Sequence, residues 1–136
     1  MFVQRGQFRA AHAHYQNVDL ESRIEGASPH QLVVVMFEEL LKALDAMAVA
    51  IERRDYSQRI KRQSRALNIL HGLESSLDFA KGGEIAEGLA AIYREARRLT
   101  MLGSRESDVD QIRRAREMLS EIASAWSQIG AAGARG

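Results

Sequence analysis

One proline in 136 residues, Pro29, constrains this chain more than any other feature. Proline lacks a backbone donor and its ring clashes with the preceding turn, so it breaks helices and central strands. Its usual share is about 5%, and a chain so poor in it can sustain long uninterrupted helices. Its position matters as much. Ser28-Pro29-His30-Gln31 reads as an N-cap serine, a proline at the first helical position and a glutamine at the third. The serine hydroxyl accepts from the third amide, the glutamine reaches back to the cap amide, and the donor that proline lacks is one a helix start leaves unpaired anyway. This predicts a helix from Pro29 to about Arg54.

The remaining boundaries rest on glycine and short polar breaks. Asp55-Tyr56-Ser57 interrupts the first helix, and a second is predicted over 58–80. Gly82-Gly83 is expected to end it, since glycine enters the left-handed C-cap conformation without strain. A third helix over 84–102 is expected to stop at Gly103. Ser107 or Asp108 caps a fourth, to Ile129, with Gly130 closing it. Alanine is abundant and β-branched residues are thin outside one short run, which favours helix throughout. Four helices of about 20 residues with short connections give an all-α fold, an antiparallel four-helix bundle. The expected organisation is a bundle over 28–130, a flexible Gly/Ala-rich tail over 131–136, and an N-terminal arm over 1–27 that lacks sustained periodicity and packs on the bundle. No internal repeat is visible.

Charge and composition remove several function classes. With 19 basic and 18 acidic side chains the net charge is +1, so the cationic excess that a general nucleic-acid binder needs is missing. There is no cysteine, hence no disulfide, thiolate metal site or cysteine nucleophile. No apolar run approaches the roughly 20 residues that span a bilayer, and Met1 to Arg9 has no apolar stretch after its charges, so no secretory signal or membrane insertion is expected and the cytosol is the expected compartment. His12, His14, His30 and His71 form no HExxH or comparable ligand set and read as solvated or capping residues. Lys81-Gly82-Gly83 lacks the rest of a phosphate-binding loop and reads as a helix–helix turn. Glu38, Glu39 and Asp45 fall on the polar face of the first helix. Nothing marks a catalytic centre, a metal, a cofactor or a small-molecule substrate.

The helical faces are more informative. At 100° per residue, Ile85, Leu89, Ile92, Ala96 and Leu99 of the third helix share a stripe about 80° wide, no more than a core-facing helix needs. The first helix is wider: Leu32, Val33, Met36, Phe37, Leu40, Leu41, Leu44, Met47 and Ile51 cover about half its circumference, and Val34 and Val35 extend it. The fourth, with Val109, Ile112, Met118, Leu119, Ile122, Trp126 and Ile129, is as wide and centred near Trp126, which is expected to be buried. The second, with Leu67, Ile69, Leu70, Leu73 and Leu77, is intermediate. A wide stripe can simply touch two neighbours; alternatively, the stripe edges of helices one, two and four form an apolar groove beyond the core, a mark of a partner site suited to an amphipathic helix. Arginines make up 16 of the 19 basic residues. They cluster around the first connection (Arg53, Arg54, Arg59, Arg62, Arg65, with Lys61) and on the third helix (Arg94, Arg97, Arg98). Both clusters read as solvated faces, with an acidic partner surface or nucleic acid as the alternative.

Several of these features together resemble one family. Tyr15 and Ala27-Ser28-Pro29-His30-Gln31-Leu32 are similar to the N-terminal motif of the flagellar secretion chaperone FliS family. Leu77-Asp78, followed by Gly82-Gly83-Glu84-Ile85-Ala86, resembles its central motif. Leu89, Ile92-Tyr93 and Arg97-Arg98-Leu99 continue it, and Ala125-Trp126 matches near the end. The likeness runs over about residues 12 to 130. The chain departs at Glu39, where the family often has a small residue, and at Glu95, where a second aromatic often stands.

The resemblance implies a non-enzymatic four-helix bundle that binds the disordered C-terminal segment of flagellin in the cytosol, prevents premature polymerisation and delivers it to the flagellar export gate. A client that folds as it binds loses ordering entropy, and a large apolar contact must offset this. The residues expected to contact client are Tyr15 and Val18 of the arm and Val34, Leu41, Ile69, Leu73, Met118, Ile122 and Ile129 of the bundle. The arm is expected to lie across this surface and shift when the client arrives, with Tyr15 as anchor because its ring can bury while its hydroxyl stays wet. The alternatives are a generic helical adaptor or regulatory module for another amphipathic helix, and a nucleic-acid-binding regulator.

Overall fold

The computed structural model describes residues 20–135, with side chains described to residue 129. Four long helices, α1 (Pro29–Glu52), α2 (Tyr56–Ser75), α3 (Phe79–Glu106) and α4 (Val109–Arg135), follow a short helical stretch over 20–24. The predicted capping box is present. Ser28 Oγ accepts from the Gln31 amide at 3.1 Å, and Gln31 Oε1 accepts from the Ser28 amide at 2.9 Å.

Three boundaries differ from expectation, each for a local reason. Helix α2 starts at Tyr56 because Asp55 accepts from the Gln58 amide at 3.1 Å, and Arg54 makes the turn before it at φ 56°. The α2–α3 connection is 76–78, not Gly82-Gly83: Ser76 caps α2, and Asp78 opens α3 by accepting from the Lys81 amide at 3.0 Å. Gly83 (φ 50°, ψ −126°) instead kinks α3 after its first turn, in a conformation essentially reserved for glycine. Gly103 is no stop either. It lies buried inside α3, which continues to Glu106 and is capped by Ser107 in the left-handed region. Helix α4 then runs past Gly130 to Arg135.

The helices alternate in direction. Each packs against two neighbours, α1 on α2, α2 on α3, α3 on α4 and α4 on α1, with α2 against α3 the least extensive of the four. The core is aliphatic: Leu40, Leu44, Met47, Leu70, Leu73, Leu99, Ile112 and Leu119 are almost wholly buried. Each such side chain contributes roughly 1.5–3 kcal/mol. Phe37 and Tyr93 meet across it, ring centroids 6.5 Å apart and tilted at 46°, and burial pushes the Tyr93 hydroxyl pKa up.

The face that α3 turns inward is not the one its large residues suggest. Ala86, Ala90, Tyr93, Ala96, Leu99 and Gly103 are buried, whereas Leu89 and Ile92 are half-buried and Ile85 is 76% exposed. Small residues admit close helix approach, so the core takes the alanine side and leaves the large aliphatics at the edge.

Candidate functional site

Helices α3 and α4 form a tight hairpin at one end. A Cβ on Gly103 would stand 2.6 Å from Ile112 Cδ1 and 2.9 Å from the Asp108 carbonyl, so only glycine fits. The Asp108 carboxylate closes the turn by accepting from the Asp110 amide at 3.0 Å. With Gly103 opposite Ile112, the antiparallel register brings Ile92 near Ile122 and Ile85 near Ile129. Exposure rises along this seam away from the turn. Ile112 is buried, Leu89, Ile92, Met118 and Ile122 are half-buried, and Ile85 and Ile129 are 76% and 62% exposed. Beside the large residues are Ala125, which is exposed, and Gly88, which has open space where a Cβ would project. A strip of aliphatics around a floor of small residues admits another helix closely.

The other three seams are latched by polar contacts. Between α1 and α4, Arg113 pairs with Glu52 at 2.5 Å and Arg116 with Asp45 at 2.9 Å, and Trp126 stacks on His30 with centroids 4.7 Å apart. Between α1 and α2, Arg65 reaches Glu39 at 3.3 Å. Between α2 and α3, Glu74 accepts from Arg94 at 3.1 Å and from Arg97 at 2.8 Å, and Ser104 Oγ donates to Gln63 Oε1 at 2.6 Å. Partial desolvation acts to raise the Glu74 pKa, but the two arginine hydrogen bonds and charges outweigh it and hold the carboxyl below its ordinary value. Among the described residues no side-chain hydrogen bond or ion pair crosses from α3 to α4. Glu95 bonds instead to Arg98 on its own helix at 2.6 Å; that bond, with the charge of Arg114, lowers its pKa against slight desolvation. Apart from the longer-range attraction between Glu95 and Arg114, the α3–α4 seam is held by apolar contact.

The expected contact residues therefore divide. Met118, Ile122 and Ile129 belong to the α3–α4 strip. Val34 and Leu41 are half-buried on the α4 side of α1, and Val34 lines a shallow crevice with Arg23, Gly26, Ala27 and Gln31, next to the Arg23–Glu38 ion pair. Ile69 is half-buried at the edge of α2 nearer α1. Leu73 is 1% exposed; it is core, out of reach of any partner, because it sits on the inner line of α2 with Ala66 and Leu70. Tyr15 and Val18 lie outside the described residues. Trp126 is not buried as expected but half-buried, clasping His30. His30, expected to be solvated or capping, takes this partner because of the fold, since nothing local in the sequence links it to a residue 96 positions away. The strip residues Ile85, Leu89 and Ile92 had been assigned to the core.

Among the described residues no group of three or more His, Asp or Glu side chains is placed to hold a metal ion, and no helix is long and apolar enough to cross a membrane.

Comparison with known proteins agrees with this fold. The family described as "Flagellar protein FliS" matches residues 11–133. The chain is 36% identical over 116 residues to the flagellar secretion chaperone FliS of Salmonella typhimurium, covering 85% of this chain and 86% of that one. It is 30% identical over 102 residues to the flagellar secretion chaperone FliS of Campylobacter jejuni, covering 75% and 80%. It is 27% identical over 115 residues to the flagellar secretion chaperone FliSB of Pseudomonas aeruginosa, covering 85% and 91%.

Proposed function

The chain belongs to the FliS family, and on that premise we propose that it is a cytosolic flagellar export chaperone. Its client is the disordered C-terminal segment of flagellin, which it delivers to the flagellar export gate. The observation that carries this reading is the α3–α4 strip, an apolar seam crossed by no side-chain hydrogen bond or ion pair among the described residues, whose most exposed residues, Ile85 and Ile129, face solvent. A solvent-facing apolar strip is a standing aggregation hazard unless a partner uses it.

The mechanism is occlusion. Flagellin's terminal helices assemble with copies of themselves, and a chaperone seated on their apolar face removes that option. Neither ATP nor a metal is required. The client gains helix as it binds, and the apolar area it buries offsets the entropy of ordering it. The arm's proposed part, covering client surface through Tyr15 and Val18 until flagellin arrives, falls on residues outside the described ones.

Titrating the protein with a flagellin C-terminal peptide, followed by circular dichroism, tests the function. Helicity is expected to exceed the sum of the parts and saturate at about one to one, and added protein is expected to stop filament growth by purified flagellin. Unchanged spectra together with unimpeded filament growth would overturn it. Hydrogen exchange across residues 10–25 that stays the same at saturating peptide would remove the arm's displacement while leaving the function standing.

A further inference from the structure

A second apolar patch lies far from the strip. Tyr56 and Ile60, one turn apart on α2, are each 58% exposed, and Met101 of α3 is 50% exposed. Met101 follows Arg97 by one turn, on the α3 edge whose Arg97 pairs with Glu74 of α2. Arg59 Nη1 donates to the Ser104 carbonyl at 3.3 Å and so ties the start of α2 to the end of α3. The three apolar residues therefore share the α2–α3 seam, the least extensive contact of the bundle. Met101 lies 16 positions from Ile85, about 24 Å along α3.

Several cations at this end of the bundle are unmatched. Arg53, Arg54, Lys61, Arg62 and Arg105 have no carboxylate in ion-pair reach among the described residues, whereas elsewhere arginines meet acids, as Arg116 does Asp45 and Arg97 does Glu74. Of the nearby carboxylates, Glu52 is engaged by Arg113, and Asp55 and Asp108 by helix-start amides, while Glu106 is exposed on the last turn of α3. At the centre, Arg59 lies 4.9 Å from the centre of the Tyr56 ring, and its Nε donor is buried without an acceptor. An unmet buried donor is costly, and a carboxylate from outside would satisfy it once the exposed Tyr56 moves aside.

We propose that the start of α2 and the end of α3 form a second docking surface, which takes an acidic amphipathic helix from a protein partner. Its apolar face covers Tyr56, Ile60 and Met101, and its carboxylates meet the unpaired cations. Polynucleotide fits less well, because three large apolar side chains offer little to phosphate and the chain's net charge is only +1.

A designed 18-residue amphipathic peptide, leucine on one face and glutamate on the other, tests this by NMR titration of the full-length protein. Amide shifts are expected within 53–62 and 98–105. Affinity is expected to fall about tenfold or more in R53E/R54E, since each lost pair becomes a repulsion. Ile60→Ser with Met101→Ser, both at exposed positions, should weaken binding without altering the melting temperature. A lysine-for-glutamate peptide should not bind, and flagellin C-terminal peptide should bind R53E/R54E as it does the wild type, which separates this surface from the proposed client strip. Absence of shifts, shifts confined to the α3–α4 strip, equal binding of the lysine peptide, or tighter binding of a 20-mer of thymidine at the same salt would each overturn the proposal.

Discussion

The indole N–H of Trp126 donates to the carbonyl of His30 at 3.0 Å, while His30 Nε2 meets the carbonyl of Trp126 at 2.7 Å and the two rings stack at 8°. A carbonyl oxygen only accepts, so Nε2 carries the imidazole proton. The pair fastens the first turn of α1 to the late turns of α4, at the end of the bundle where the strip is most open. It also gives a physical reason for two motif residues far apart in the sequence to occur together: each completes the other's hydrogen bonding.

His30→Ala is therefore expected to shift Trp126 emission to the red and to cost about 1–2 kcal/mol, the loss of a stacked ring and a hydrogen bond. Trp126→Phe keeps a ring but not the donor and should cost about 1 kcal/mol. Chemical denaturation followed by circular dichroism measures both. An unshifted spectrum in His30→Ala would mean the clasp does not form.

The turn end of the α3–α4 hairpin admits no side chain at Gly103. Gly103→Ala should destabilise by about 1–3 kcal/mol through forced displacement of Ile112, although alanine is ordinarily the better helix former by about 1 kcal/mol. The sign of the change in melting temperature decides between close packing and helix propensity.

Much of the fold was legible where local chemistry sets it. Ser28, Pro29 and Gln31 announce the start of α1 because the four atoms of the two cap hydrogen bonds all belong to Ser28 and Gln31, three positions apart. Glycine was harder. Gly82-Gly83 and Gly103 look alike in sequence to a helix stop, but a neighbour on another helix decides at Gly103, and an aspartate cap five residues earlier decides at Gly83. The α3 stripe was right at Ala96 and Leu99, which are core, and at Leu89, which packs against it; it was wrong at Ile85, because isoleucine outweighs alanine in any hydrophobic pattern while the packed bundle takes the small side at Ala86 and Ala90. The same misassignment hid half of the strip. Met118, Ile122 and Ile129 were legible as an edge of α4, but Ile85, Leu89 and Ile92 opposite them had been spent on the core.

Acid should weaken the α2–α3 seam. The Glu74 carboxyl is held below its ordinary value of 4.5, so the unfolded chain takes up the proton first as pH falls. Its stabilisation is full above that value and is lost as pH drops through the lower folded value. Melting temperatures of wild type and Glu74→Gln are expected to differ at pH 7 and to converge as the pH falls below 4.5 and through the lowered folded value; a constant difference across that range would show the pair contributes nothing through charge.

Two aspartate substitutions separate core from surface. Leu73→Asp places a charge at a site 1% exposed and should abolish cooperative unfolding, because a buried unpaired carboxylate is among the most damaging changes. Ile129→Asp, at a position 62% exposed, should leave the melting transition nearly unchanged. Thermal scans read both, and a folded Leu73→Asp would return that residue to the surface.

The most direct measurement is calorimetric titration of a flagellin C-terminal peptide into wild type and into the double variant Ile85→Asp/Ile129→Asp. The wild type is expected to bind about one to one with a negative heat-capacity change, the mark of apolar burial. The variant, equally folded by its melting temperature, is expected to lose about tenfold or more in affinity, the scale of placing charges against an apolar helix face. Undiminished affinity in the folded variant would contradict the assignment of the α3–α4 strip as the client surface.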